Sequence, residues 1–186
     1  LSILPYPARY EQLWPLRGGG EYIVRPIHPD DADMLQEMMT HLSPESRYFR
    51  FVSSIVELPP AMLARFTLID YDREMALVAV HKVRTADAQG DMVETERIVG
   101  VSRYVTNPDQ SSCEFALVVA DDFSGKGLGS RLMLSIMDVA REKGLAEIEG
   151  LVLAQNPGML KLMKSLGYAI KPFPEDPDFK LVTHTL

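Results

Sequence analysis

The chain has 186 residues, a length that suits one domain with a sizeable core. Apolar residues make up 46% and charged residues 24%, as in an ordinary globular protein, and no run of about 18 apolar residues marks a membrane span. Nineteen Lys and Arg against 26 Asp and Glu leave a net charge of −7, which argues against a general nucleic-acid binder, and the single cysteine, Cys113, excludes an internal disulfide and points to a reducing cytoplasm.

Pro5, Pro7, Pro15 and the triplet Gly18-Gly19-Gly20 make residues 1–20 read as a linker or extended lead-in. The chain opens on Leu1 without a basic flank before an apolar core, so no secretory signal is seen and a fragment of a longer protein is expected. Residues 21–27 alternate as a strand. Pro29, Asp30 and Asp31 suit the first turn of a helix, and Met34, Leu35, Met38, Met39 and Leu42 follow at helical spacing. Residues 43–51 predict another helix with Ser43 as N-cap and Pro44 at its first position. Residues 59–67 predict a further short one.

Residues 75–83 and 97–107 read as strands separated by the polar turn 86–91, and Asn107-Pro108-Asp109 turns the chain again. Residues 112–120 form a nearly continuous apolar run interrupted only by Glu114. Over 127–143, Leu128, Leu132, Ile136, Val139 and Ala140 make one helical stripe that Met133 and Met137 widen, and Gly144 stops it. A strand at 147–154, a helix at 157–166 ended by Gly167, and two closing strands complete the chain. The expected fold is a mixed α/β sheet flanked by helices. Its meandering strands are antiparallel, and one parallel, right-handed strand–helix–strand unit surrounds Gly127.

The stretch Ser124-Gly-Lys-Gly-Leu-Gly-Ser130 joins that strand to that helix. It is not a P-loop, because Ala120 stands where the first glycine belongs and Gly127 where the magnesium-binding hydroxyl belongs. A dinucleotide fingerprint at Gly125, Gly127 and Ser130 is close, but antiparallel strands precede it. Glycines still allow a tight turn and a close ligand approach, and the next helix offers unpaired N–H groups and a positive dipole end. A pyrophosphate is the expected ligand, held without a metal; a plain connecting turn is the alternative. About thirty residues on, Asn156 ends a strand, Met159, Leu162, Met163 and Leu166 line a helix, and Gly167-Tyr168 returns to a strand.

The two motifs together resemble the GNAT N-acetyltransferase family. Its acetyl-CoA loop, Gln/Arg-x-x-Gly-x-Gly/Ala, corresponds to Ser124 through Gly129, and its Asn–helix–Leu-Gly-Phe/Tyr motif to Asn156 through Tyr168. The likeness covers roughly 21–186. The stretches at 5–14, 23–51, 113–119 and 125–133 are similar to the acetyltransferase domain of bacterial Pat-type protein lysine acetyltransferases. There the domain commonly follows a region resembling acyl-CoA synthetases.

This resemblance implies the GNAT fold, acetyl-CoA as co-substrate and no metal. It implies a protein partner with an exposed lysine, notably an acetyl-CoA synthetase. Ser124, Gly125, Lys126, Gly127, Leu128, Gly129 and Ser130 would hold the pyrophosphate. Leu117, Val118, Val119 and Asn156 would hold the pantetheine arm. Glu114 would be the general base, its carboxyl raised by an apolar strand. The alternatives for Glu114 are a solvent-facing glutamate or a partner of Arg103. Asn156 could equally be a helix N-cap.

Two departures from the family pattern matter. Ser124 replaces the usual Gln or Arg, leaving a phosphate-side contact weaker or supplied by Lys126, and Met163 stands where many members carry a tyrosine acid. Cys113 raises an acyl-cysteine route, but no histidine is near it in sequence. His28, His41, His81 and His184 show no metal-ligand spacing. The rival readings are an enzyme acting on small amines and a non-catalytic acetyl-CoA-sensing module.

Overall fold

A computed structural model describes residues 5–43 and 60–186. The strands run antiparallel through β1 (Gln12–Pro15), β2 (Glu21–Pro26), β3 (Glu74–Ala86), β4 (Met92–Thr106) and β5 (Ser112–Val119). β5 then pairs in parallel with β6 (Glu147–Leu153). β6 pairs antiparallel with β8 (Phe179–Thr185), which carries β7 (Ala169–Pro172) on the outer edge. One eight-stranded sheet results, in the order β1-β2-β3-β4-β5-β6-β8-β7. The expected mixed α/β sheet with one parallel unit is therefore present.

The parallel step needs a crossover, and α3 (Leu128–Glu142) supplies it. Its stripe packs Leu132, Met133 and Ile136 completely out of solvent against the face of the sheet that carries Phe115, Leu117, Ile148 and Val152. Each such side chain contributes about 1.5–3 kcal/mol by leaving water. The helix ends because Gly144 takes a left-handed turn, and Leu145 N–H reaches back to the Ala140 carbonyl at 3.1 Å. α4 (Pro157–Ser165) adds buried Met163 to the same layer.

The opposite face is covered by α1 (Ala32–His41), whose Leu35, Met38 and Met39 meet Val78, Val80, Ile98 and Val118. α2 (Pro60–Thr67) lies beside α1. Among the described residues no helix is long and apolar enough to cross a membrane.

Several expectations are adjusted. Within the stretch expected as a lead-in, Gln12–Pro15 is the edge strand β1, paired with β2. Pro29–Asp31 form a 3₁₀ turn ahead of α1. Asp31 stands at that helix start, and its side chain is buried, taking both Arg25 Nη1 and Nη2, at 2.7 and 2.8 Å, plus the His28 N–H at 2.7 Å. The helix expected from residue 44 onward lies outside the described residues.

Candidate functional site

β5 and β6 stay in register only at Ser112↔Glu147, Cys113↔Ile148 and Glu114↔Glu149. Beyond Glu114 they part. β5 remains paired to β4 as far as Val119, and β6 remains paired to β8 as far as Leu153. The result is a cleft of about 840 Å³, walled by residues 115–119, residues 151–153 and the first turns of α3 and α4. Because the β6 side of 115–119 has lost its strand partner, β5 offers an open backbone edge to an extended ligand.

Strand alternation divides β5. Cys113, Phe115 and Leu117 belong to the α3 layer and Val118 to the α1 layer. Glu114 shares the α1 side and is exposed at the mouth of the cleft. Its apolar strand neighbours therefore do not cover it, and among the described residues no ion pair joins it to Arg103. Glu149 stands beside it on the same side of the sheet, its Oε1 accepting from Asn107 Nδ2 at 3.2 Å.

The glycine loop is fixed from behind. Phe123 is buried, and Arg97 grips Asp122 through Nη1 and Nη2 at 2.7 and 2.9 Å. This hydrogen-bonded guanidinium holds the Asp122 carboxyl below the usual carboxylate range. Asp121 Oδ2 accepts the Ser43 N–H at 2.8 Å. Gly125 and Gly127 then adopt φ of +76° and +83°, a region that a side chain strains. A Cβ on Gly129 would sit 3.1 Å from Leu162 Cδ2, so this position brings the loop close to α4. A glycine cradle, an unpaired strand edge and a helix N-terminus facing one cleft fit a long ligand with a phosphate end.

The cleft gathers Glu114, Leu117, Val118, Val119, Ser124, Gly125, Gly127, Leu128, Gly129, Ser130 and Asn156 from the sequence reading. Lys126 is not on its wall; the ammonium lies over the Phe123 ring, 4.9 Å from the centroid. Asn156 caps α4, its Oδ1 accepting the Met159 N–H at 3.2 Å, so the N-cap alternative holds whatever else the residue does. Met163 is wholly buried. Burial is the main influence that pushes the Cys113 thiol up to about 12, and Glu149 adds to it. Sequence reasoning missed Arg17, Phe115, Met159 and Leu162 on the cleft wall. Only for the last two was there a signal, their place on the inward stripe of the second motif. Among the described residues, no three of His, Cys, Asp and Glu gather as metal ligands.

Comparison with known proteins agrees with this geometry. The model of the acetyltransferase (GNAT) family matches residues 45–168. The chain is 35% identical over 162 residues to acetyltransferase PA5475 of Pseudomonas aeruginosa, covering 87% of this chain and 82% of that one. It is 29% identical over 152 residues to acetyltransferase Pat of Mycolicibacterium smegmatis, spanning 82% of this chain but only 42% of that protein. The crystal structure of the GNAT domain of S. lividans PAT superposes with a TM-score of 0.83 at 29% identity, covering 98% of this chain and all of that one.

Proposed function

The chain belongs to the GNAT acetyltransferase family, and we propose that it moves the acetyl group of acetyl-CoA onto a lysine side chain of a protein. The observation that carries this reading is Glu114. It is an exposed carboxylate at the point where β5 and β6 part, while the glycine loop lies at the other end of the same cleft. One end suits a phosphate handle and the other an incoming amine.

Loop residues 125–130 hold the pyrophosphate through backbone N–H groups at the start of α3. The open edge at Leu117, Val118 and Val119 pairs with the pantetheine amides. Asn156 remains free to donate through Nδ2 while its Oδ1 caps α4. A lysine amine has a pKa of about 10.4, so it arrives protonated at neutral pH. Glu114 takes that proton, directly or through a water. The amine then attacks the acetyl carbon, and a β5 backbone N–H stabilises the oxyanion. Sulfur leaves as a thiolate. The attacking nitrogen sheds its second proton as the adduct collapses, and because Met163 has no proton to give, the thiolate gains one through solvent.

Transfer in a single ternary complex is supported by Cys113, whose buried neutral thiol on the far side of β5 is a poor nucleophile. The Pat-type sequence resemblance, together with a superposition over the whole S. lividans domain, supports a protein lysine as acceptor and an acyl-CoA synthetase as partner. The lone buried cysteine suits a cytoplasmic setting. The test is incubation with acetyl-CoA and an AMP-forming acetyl-CoA synthetase, followed by mass spectrometry. Acetyl-lysine on the synthetase is the expected result. Turnover of small amines with no acetyl-lysine would overturn the acceptor assignment. Acetyl-CoA binding without transfer to any amine would make the domain a sensor.

A further inference from the structure

The glycine loop lacks a cationic side chain of its own on the cleft wall. Ser124 carries no charge, and Lys126 is turned onto Phe123. A different cation fills this place. Arg17 lines the same cleft, and its guanidinium faces the loop: a Cβ built on Gly127 would meet Arg17 Cζ and Nε at 3.6 Å. Arg17 is exposed, and no carboxylate pairs with it among the described residues. A guanidinium left uncompensated beside helix-terminal N–H groups makes a favourable place for an anion.

The position of Arg17 is built rather than incidental. It sits in the turn between β1 and β2, held by Leu16 N–H to the Gly20 carbonyl at 2.9 Å and Gly19 N–H to the Leu16 carbonyl at 3.1 Å. Leu16 is buried in the core beneath it. The hairpin is tied to α3 by Arg131, whose guanidinium carbon stacks 3.7 Å from the centroid of Trp14 on β1. Arg131 N–H also closes the first turn of α3 onto the Gly127 carbonyl at 3.1 Å. Arg131 thus links the hairpin to the loop.

We infer that Arg17 is a cofactor-binding residue that supplies, from the N-terminal hairpin, the phosphate-gripping side chain that Ser124 does not. This rests on the acetyl-CoA reading of the cleft. The planar fork can take two oxygens of the pyrophosphate through a fixed parallel pair of hydrogen bonds, a geometry that a compact ammonium does not impose. The 3′-phosphate of coenzyme A offers the same chemistry, and the ligand series separates the two.

The test is calorimetric binding of CoA, 3′-dephospho-CoA and pantetheine to the wild-type chain, Arg17→Ala and Arg17→Lys. Arg17→Ala is expected to weaken CoA and dephospho-CoA equally, by about tenfold, the scale of one charge-assisted contact. Pantetheine, which lacks phosphate, should be unaffected, and Arg17→Lys should fall between. Unchanged CoA binding by Arg17→Ala overturns the proposal. So does an equal loss for pantetheine, which would mean a general disturbance. A loss confined to CoA overturns the pyrophosphate assignment in favour of the 3′-phosphate. A wild-type chain that binds no CoA overturns the cofactor reading and this proposal with it.

Discussion

The Phe115 ring on β5 lies across Gly150 on β6, where a Cβ would come within 2.5 Å of Phe115 Cε1. The crossing falls one residue beyond the last register pair, Glu114↔Glu149. An aromatic ring passing over a bare backbone therefore marks the point at which the strands separate and the cleft begins. The ring is further held edge-on against Tyr168, with centroids 5.8 Å apart.

Gly150→Ala should accordingly act on both stability and the cleft. Pushing a wedged ring aside costs about 1–3 kcal/mol, readable as a lower urea midpoint at unchanged slope. The displaced Phe115 moves into the cleft, so KM for acetyl-CoA rises. An alanine variant with wild-type stability and KM would show that this crossing does not shape the opening.

Asp31 and Arg25 give a pH-dependent stability. Burial alone would raise the Asp31 carboxyl, but the hydrogen bonds from Arg25 and the His28 N–H outweigh it and hold it below the ordinary value of 3.8. A depressed folded pKa stabilises the protein above the unfolded value, and that contribution is lost as pH falls through the folded one. Asp31→Asn should cost about 3 kcal/mol at pH 7, because it removes the buried carboxylate that pairs with the partly buried Arg25 guanidinium. The gap between variant and wild type should start to narrow below the unfolded value and vanish only below the depressed folded one. Denaturant melts at pH 7 and pH 3 measure it.

Cys113 should be dispensable for transfer. Its thiol, pushed up to about 12, stays protonated at pH 8 and should resist iodoacetamide until the protein unfolds. Cys113→Ala should lose only about 1 kcal/mol of stability and retain acetyl transfer. A folded Cys113→Ala that binds CoA but transfers nothing would revive the acyl-cysteine route.

Local chemistry was easy to read from the chain. The loop at 124–130 and the Asn156–Tyr168 motif are written in consecutive residues, so caps, glycines and stripes are visible without a fold. Relationships across the sheet were hidden. Arg17 meets Gly127 only because β1 joins the sheet and Trp14 docks on α3, and nothing in residues 12–20 announces either. Glu114 misled because apolar neighbours were taken as cover. Cover depends on the face, and roughly 13 Å along the strand from Val118 the glutamate is exposed. The register shift between Ala79 and Val80 turns both Ile98 and Val101 toward the α1 layer, which strict alternation would not predict.

The most direct measurement is steady-state transfer by Glu114→Gln across pH, with CoA affinity determined on the same preparation. The side chain is exposed, so stability and CoA binding should be unchanged, while kcat at pH 7 should fall about 100-fold or more, the range of a lost general base. The deficit should shrink as pH approaches about 10.4, where the lysine amine loses its proton unaided. A Glu114→Gln variant with wild-type kcat at every pH would contradict the account.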